Sequence, residues 1–243
     1  MVGSSANRLS DAELGRLNER FESERPEAIL RWVVDTFPED LIMTSSFQHE
    51  GVALAHMLRS IRADVPVVFI NTRFHFKETL EYRDKVVDLL GLNLRVIESV
   101  IPFDDFKARY TDHLFDRDPD LCCRINKVEP LQAALRGVKA WINARRRDQT
   151  ADRAVMPHVE RTGDIVKVNP LARWTSKDTY AYMTHHGLPF HPLFEKGYTS
   201  IGCEPCTSLP IDGDERSGRW AGTAKRECGI HTAIDPKTAG ENI

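Results

Sequence analysis

The sequence predicts an α/β protein built on a doubly wound, mostly parallel sheet. Short apolar runs alternate with stretches of helical spacing between residues 41 and 142, a pattern typical of βαβ units. The 243 residues, 41% hydrophobic and 28% charged, can bury one full core, which excludes disordered, collagen-like and fibrous classes. No apolar run is long enough to span a bilayer, and no signal peptide is recognisable, so we expect a cytoplasmic protein.

Two helices are predicted ahead of the sheet, the second opened by a proline that suits a first helical turn. The apolar runs that follow are predicted as strands, and the amphipathic stretches between them as helices. After residue 153 we predict a strand pair and one more helix, and beyond residue 187 an irregular tail rich in glycine, proline and charge. The predicted helices are 11–21, 26–37, 49–62, 75–90, 121–136 and 176–186, and the predicted strands are 41–44, 67–70, 94–97, 138–142, 155–159 and 165–168.

The ligand site is predicted at one edge of this sheet. Ligands of doubly wound folds bind at the carboxyl ends of the strands, which here are the loops starting at Thr44, Asn71 and Asn143. The net charge of −3 provides no overall attraction to nucleic acid or to an acidic membrane surface. An anion site must therefore be built locally.

The five cysteines are the strongest chemical signal in the chain. A reducing cytoplasm disfavours disulfides, so metal binding or catalysis is the leading use of the thiols. Cys122 and Cys123 open a predicted helix, whose first-turn N–H groups and dipole favour thiolates. Cys203 and Cys206 form the C-x-x-C motif CEPC, a spacing that lets two sulfurs converge on one metal centre.

A four-ligand metal site is favoured over unconnected buried cysteines. A zinc ion with four cysteine ligands and a disulfide between Cys122 and Cys123 remain open as alternatives. Neighbouring cysteines splay their side chains, which suits the corners of an iron-sulfur cluster better than one tetrahedral ion. Lys127 follows Cys123 by four residues on the same predicted helix, so it lies on the same face and could link this site to a substrate.

The fifth cysteine, Cys228, lies in the charged segment AKRECGIH. Lys225 and Arg226 precede it, and His231 follows three residues later. Nearby positive charge lowers the pKa of a cysteine and stabilises the reactive thiolate. Cys228 is therefore a candidate nucleophile, with an incidental surface thiol as the alternative.

Three motifs, CCRINKVEPL, YTSIGCEPC and KRECGIH, together resemble the assimilatory adenylyl-sulfate (APS) reductases, the iron-sulfur branch of the phosphoadenylyl-sulfate (PAPS) reductase family. The resemblance runs from about residue 44 to residue 231. It implies a fold of the adenine nucleotide alpha hydrolase (pyrophosphatase-loop) type, and a [4Fe-4S] cluster held by Cys122, Cys123, Cys203 and Cys206. It also implies a single domain with N-terminal helices (1–40), a nucleotide-binding α/β core (41–187), and a cluster loop and catalytic C-terminal tail (188–243).

The activity implied by this resemblance is reduction of APS to sulfite and AMP, in sulfate assimilation for cysteine biosynthesis. Cys228 would attack the sulfonyl sulfur, expel AMP and form an S-sulfocysteine, from which thioredoxin or glutaredoxin releases sulfite. Lys127, Arg216, Arg219 and His231 match the positions that embrace the phosphosulfate. Because external thiols supply both electrons, the cluster is expected to be structural and electrostatic. No nucleic acid or membrane partner is expected, and the sequence leaves homo-oligomers open.

The resemblance also extends to the nucleotide end of the site. MTSSFQHEG resembles a modified pyrophosphatase loop and implicates Ser45 and Ser46, whose hydroxyls at a helix N-terminus suit a phosphate. WINARRRDQ resembles the family pattern WxxGxRRxQ and, with the residues after it, implicates Arg146 and Arg153 in the nucleotide pocket. Four residues depart from the family patterns: Asn71, Arg73 and Lys77 replace aspartate, glycine and proline, and Ala144 replaces a glycine.

Three other functions compete with APS reduction. A PAPS reductase of the same mechanism would need a further cation for the 3′-phosphate, which Arg73 could supply. A tRNA sulfur-transfer enzyme is disfavoured by the absence of an SGGxDS motif and by the acidic charge balance. A redox sensor has no use for the KRECGIH segment.

Overall fold

In the computed structural model, the chain forms one six-stranded sheet with helices on both faces. The structure describes residues 9–111, 113–211, 214–223, 225, 227 and 229–231. None of the helices in these ranges is long and apolar enough to cross a membrane. The helices are α1 (Asp11–Phe21), α2 (Pro26–Thr36), α3 (His49–Ile61), α4 (Lys77–Leu90), α5 (Phe103–Tyr110), α6 (Leu114–Arg117), α7 (Pro119–Cys123), α8 (Glu129–Ala134), α9 (Ser176–His185) and α10 (Pro192–Glu195). The strands are β1 (Leu41–Thr44), β2 (Val67–Ile70), β3 (Leu94–Ile97), β4 (Ala140–Ile142), β5 (Val159–Thr162) and β6 (Ile165–Val168).

The strand order confirms the predicted doubly wound sheet. The strands lie in the order β3-β2-β1-β4-β6-β5, and every neighbouring pair is parallel except β5 with β6. The chain adds β2 and β3 on one side of β1 and then β4 on the other side. This change of direction opens a crevice between the carboxyl ends of β1 and β4, where such folds bind ligands.

Burial on both faces of the sheet explains why the central strands β1, β2 and β4 read as mostly apolar runs. In β1, Leu41 and Met43 pack with residues of α2 and α3 in one buried cluster. Ile42, between them, points to the opposite face and joins a second cluster with Val128 and Leu131. Successive strand side chains alternate between faces, so both layers of helices draw on the same short run.

One strand differs from its prediction. The strand predicted at 155–159 lies instead at Val159–Thr162, and Val155 is 90% exposed. Pro157 cannot donate a ladder hydrogen bond, which disfavours strand pairing before Val159. Gly163, with a φ of 59°, starts the tight turn that lets Thr162 pair with Ile165.

The helix predicted at 121–136 is also not continuous. It consists of α7, one π-helical turn at Arg124–Val128, and α8. Pro130 has no N–H for the carbonyl of Asn126, and its ring would clash with that oxygen in a regular α-helix, so a wider turn relieves both problems. The short helices α5, α6 and α10 were not predicted, although the described part of the tail is otherwise irregular, as expected.

A cation-lined cleft beside a four-cysteine cavity

A cleft of about 180 Å³ lies at the predicted edge of the sheet, lined by the loops that follow β1, β2 and β4. Ser45 and Ser46 both line it. Ser45 Oγ accepts a hydrogen bond from Phe47 N at 3.0 Å. A Cβ added to Gly51, in the first turn of α3, would lie 2.4 Å from Ser45 Oγ, so glycine is required for this close approach. The two serines therefore lie beside a helix N-terminus, as predicted.

Four residues predicted to surround the phosphosulfate, namely Lys127, Arg216, Arg219 and His231, all line this cleft. Arg219 is 8% exposed, and its guanidinium lies 4.6 Å from the ring centroid of Trp220. Within the described ranges, no carboxylate lies close enough to form a salt bridge with Arg219. A buried cation without a carboxylate partner favours an anionic ligand.

His231 lines the cleft and packs against β4 of the sheet. Its ring stacks on Trp141, with centroids 5.4 Å apart and an interplanar angle of 14°. Lys167 Nζ donates a hydrogen bond to the His231 carbonyl at 3.3 Å. Burial, together with the nearby Arg145 and Lys167, holds the pKa of His231 well below its usual range. The imidazole is therefore neutral at physiological pH.

The two arginines predicted for the nucleotide pocket have different positions. Arg153 lines the cleft and binds Glu227 through two hydrogen bonds of 2.9 and 2.8 Å. Arg146 is 1% exposed and does not line the cleft, whereas its neighbour Arg145 does. The Arg146 guanidinium pairs with the carboxylates of Glu50 at 3.1 Å, Asp148 at 3.0 Å and Glu215 at 3.2 Å.

The two predicted cysteine pairs come together, since all four thiols line one small cavity next to the cleft and none of the four is joined in a disulfide. Lys127 lines both the cavity and the cleft, which is the link expected from its spacing after Cys123. The π-helical turn carries Lys127, and turns of this kind are frequent at functional sites. The cysteines lining the cavity are Cys122, Cys123, Cys203 and Cys206.

Polar groups surround the sulfurs. Thr72 Oγ1 lies 3.2 Å from Cys203 Sγ, and Asn126 Nδ2 lies 3.8 Å from Cys122 Sγ. Burial alone would raise the pKa of Cys203, but Lys127 and the Thr72 hydroxyl outweigh it and lower the pKa.

The other thiols differ from Cys203 in their ionisation. Burial and the neighbouring sulfurs raise the pKa of Cys122 to about 12 and that of Cys206 to about 11. Ionising several of these thiols together therefore requires a bound cation. Within the described ranges, no group of three or more His, Cys, Asp or Glu side chains is arranged to hold a metal ion. The four sulfurs thus share a cavity without forming the shell of one ion.

The predicted nucleophile Cys228 and the neighbouring Arg226 lie outside the described residues. The residues that flank Cys228 are described, and Glu227, Ile230 and His231 line the cleft. The chain next to Cys228 therefore enters the same cleft as the cations.

Several residues of the site were missed by the sequence analysis. His75 lines the cleft, and burial lowers its pKa to about 4. Its position in the loop after β2 was the available signal. Lys167 is 1% exposed, and its signal was a charge inside the apolar strand IVKV. Trp141, Arg145 and Glu227 lie inside the motifs WINARRRDQ and KRECGIH, but their contacts join distant parts of the chain and were not predicted.

The departures from the family patterns lie mostly outside the cleft. Ala144 lines it, whereas Asn71, Arg73 and Lys77 do not. Arg73 has a φ of 65°, a conformation that favours the glycine of the family pattern. Its guanidinium donates to the Ile101 carbonyl at 2.9 Å and to Asn126 Oδ1 at 3.2 Å. Lys77 is the first residue of α4, a position that suits the proline of the family pattern.

The sheet, its edge cleft and the thiol cavity define a doubly wound α/β protein with a cation-lined ligand site. Residues 40–209 match the model of the phosphoadenosine phosphosulfate reductase domain, and the chain belongs to this family. It is 41% identical over 227 residues to the adenosine 5'-phosphosulfate reductase of Streptomyces coelicolor, covering 90% of this chain and 95% of that protein.

Two further relatives carry the name of the PAPS enzyme. The phosphoadenosine 5'-phosphosulfate reductase of Gloeobacter violaceus is 42% identical over 230 residues, which cover 92% of this chain and 95% of that protein. The crystal structure of phosphoadenylyl-sulfate (PAPS) reductase from Candida auris, a phosphate complex, matches with a TM-score of 0.75 and 30% identity. That match covers 84% of this chain and 100% of the other.

Proposed function

We propose that this chain is a cytoplasmic, thioredoxin-dependent reductase that converts APS to sulfite and AMP in sulfate assimilation. The names of its relatives support reduction of a sulfate activated on adenosine. One observation carries the proposal for this chain. A cleft lined by Lys127, Arg216 and Arg219 shares a wall with the four-thiol cavity and receives the residues that flank Cys228.

The cations solve an electrostatic problem of the reaction. A thiolate and a phosphosulfate repel each other, so fixed positive charge is needed where they meet. Arg219 has no carboxylate partner among the described side chains, and its planar fork matches the oxygens of a sulfate or phosphate. The neutral His231 adds a group that can donate or accept a hydrogen bond without adding charge. Ser45 and Ser46 extend the polar lining towards the nucleotide phosphate.

The proposed reaction is a series of displacements at sulfur. The Cys228 thiolate attacks the sulfonyl sulfur of APS, a sulfur–sulfur bond forms, and the sulfur–oxygen bond to AMP breaks. AMP leaves with the electron pair of that bond. One thiolate of a dithiol protein such as thioredoxin then attacks the Cys228 sulfur and expels sulfite, which leaves a mixed disulfide. The second thiol of the dithiol protein attacks this mixed disulfide, so the dithiol protein becomes a disulfide and Cys228 regains its thiol.

Cys122, Cys123, Cys203 and Cys206 fit a [4Fe-4S] cluster. All four cysteines line one cavity, and Thr72 and Asn126 offer hydrogen bonds to sulfur. When bound, the cluster would supply local electrostatic potential and anchor the cysteine loops. Lys127 would lie between it and the substrate.

The position of Arg73 favours APS over PAPS. A 3′-phosphate needs an additional cation at the nucleotide end, and Arg73 was the candidate. Its guanidinium donates to Ile101 and Asn126, lies 5.1 Å from the ring centroid of Phe103, and does not line the cleft. It is therefore not placed to bind the additional phosphate.

Mass spectrometry of the intact protein tests the proposal. APS is added to the anaerobically purified enzyme without any reducing protein, with the Cys228→Ser variant as control. We expect one sulfonate adduct on Cys228 and its loss, with sulfite release, when thioredoxin is added. Absence of the adduct, or an adduct on the Cys228→Ser variant, would contradict the mechanism. Equal or better turnover of PAPS than of APS by the same enzyme would overturn the choice of substrate.

A further inference from the structure

The residue that precedes Cys228 is held tightly in the cleft. Glu227 accepts two hydrogen bonds from Arg153, from Nε at 2.9 Å and Nη2 at 2.8 Å, the fork geometry of a strong charge-assisted pair. The two side chains are 19% and 10% exposed. Arg216 Nη2 lies 3.6 Å from the same carboxylate. Shielding from solvent strengthens such a pair and makes the loss of one partner disruptive.

The other flank of Cys228 is held by different contacts. The His231 ring stacks on Trp141, and Trp141 Nε1 in turn donates to Thr44 Oγ1 at 2.8 Å. Lys167 Nζ donates to the His231 carbonyl at 3.3 Å. Ile230 packs against the buried cluster on the same face of the sheet.

Lys167 is an unusual residue for its position. It lies within β6, flanked by β4 and β5, and is 1% exposed. Its ammonium group lies 3.2 Å from Glu160 Oε1 and 5.2 Å from the ring centroid of Trp141. Burial lowers the pKa of Lys167 to about 8, so the side chain is still mostly protonated at neutral pH and can donate. A buried lysine is costly for a fold, so its contact with the His231 carbonyl suggests a specific use.

We propose that Arg153 and Lys167 are positioning residues, which together with Trp141 form a dock that holds Glu227 and His231, the described residues on either side of Cys228 in the sequence, in place for the attack on APS. This inference rests on the proposed function. Cys228 is joined directly to Glu227, and adjacent Cα atoms lie about 3.8 Å apart. The dock therefore acts on the two described residues between which the proposed nucleophile lies in the sequence. The role assigned to Arg153 differs from the nucleotide contact expected from the sequence.

The competing interpretation is that Glu227 imitates the substrate anion. Under that interpretation the Glu227 carboxylate would stay beside Arg216 only until the phosphosulfate of APS takes its place. Removing the charge of Glu227 would then tighten APS binding and leave turnover intact. The dock instead predicts unchanged APS binding and slower sulfonate formation, because Glu227 would be needed during the attack.

Binding and chemistry are separated in the test. Dissociation constants of APS are measured by calorimetry in a Cys228→Ser background, and the rate of sulfonate formation is measured in single turnovers with Cys228 present. The variants are Glu227→Gln, Arg153→Glu, the charge swap Arg153→Glu with Glu227→Arg, and Lys167→Met. Thermal melts confirm that each variant folds. Glu227→Gln is expected to fold even if the Arg153 and Lys167 variants do not, because the Glu227 side chain is partly exposed.

We expect Glu227→Gln to leave the dissociation constant unchanged and to slow sulfonate formation, by about 100-fold for a misplacement near 1 Å. The charge swap should recover most of the rate lost in Arg153→Glu, and Lys167→Met should also slow the step. Full-rate sulfonate formation in Glu227→Gln, tighter APS binding in that variant, or no recovery in the swap would each overturn the dock.

A second measurement does not depend on APS chemistry. The rate of Cys228 alkylation by iodoacetamide, located by peptide mass spectrometry, reports how freely the nucleophile moves. We expect faster alkylation in Glu227→Gln than in the unaltered protein, and equal rates would contradict the dock. If the unaltered protein forms no sulfonate adduct while the alkylation rates still differ, the proposed function fails and the dock stands.

Discussion

Replacing Gly202 with alanine should remove most activity without unfolding the protein. A Cβ at position 202 would lie 2.1 Å from Arg219 Nη2 and 2.4 Å from Arg219 Cζ. Ordinary contacts between such atoms are about 3.5 Å, so the guanidinium must move by about 1.4 Å. Arg219 ends a long flexible side chain, so it can move while the backbone stays in place. Gly202 also has no positive φ to restrict an alanine.

The magnitude follows from the position of Arg219 in the cleft. A misplacement near 1 Å lowers a rate by about 100-fold, equivalent to about 2.7 kcal/mol of transition-state stabilisation. The assay is kcat/KM for APS, measured by sulfite release, with a thermal melt of each variant. Gly15→Ala is the matched control, because nothing lies within 4 Å of the added Cβ. Gly218→Ala, whose Cβ would lie 2.1 Å from the Ser208 carbonyl oxygen, should instead lower the melting temperature.

A double variant tests whether Gly202 acts through Arg219. If the alanine acts only by displacing the guanidinium, Gly202→Ala should cause little further loss in an Arg219→Ala background. Equal losses in both backgrounds would refute the reasoning. Normal kcat/KM in the single variant, with an unchanged melting temperature, would refute it as well.

Three further predictions concern the metal site, a helix start and acid stability. Cys203→Ser should lower the iron and sulfide content and the visible absorbance, whereas Cys228→Ser should retain them; equal iron in both variants would contradict the ligand set. Lys77→Pro should raise the free energy of unfolding by about 0.5 kcal/mol in urea melts, because Lys77 starts α4 and Phe76 has an extended ψ of 144°; a lower value would contradict this. Burial lowers the pKa of His191 to about 4, so its neutral form is favoured in the fold, and stability should fall as pH drops from 6.5 towards 4, by up to about 3 kcal/mol. Urea melts of His191→Asn at pH 7 and pH 5 should show a smaller fall than the unaltered protein, and an equal fall would assign the effect elsewhere.

The central strands of the parallel sheet could be predicted from the sequence because both of their faces are buried. A strand such as Val67–Ile70 needs four consecutive apolar residues, and this local pattern survives without knowledge of its neighbours. In the edge strand at Val159–Thr162 only Val159 is buried, and the register of this strand depends on the turn at Gly163. Its position was therefore predicted wrongly.

Residues with a local chemical signature were also found from the sequence. The two cysteine pairs and Lys127 stand close together in the chain or in a recognisable motif, and the structure brings them to adjoining cavities. Arg146 and Arg153 show the limit of such reasoning. Both are arginines after the same strand, but only Arg153 lines the cleft, while Arg146 is held by the nearby Asp148 and by two carboxylates from distant segments, Glu50 and Glu215.

The sequence by itself determined the fold class, the edge of the sheet that carries the site, and the set of thiols and cations available for chemistry. Those properties depend on residue type and spacing along the chain. Only the tertiary structure decided which cation meets which partner: Arg219 beside Gly202, Arg153 on Glu227, and Lys167 at the carbonyl of His231. Such pairs join segments that lie far apart in sequence, and the strength of each pair depends on burial, which folding alone creates.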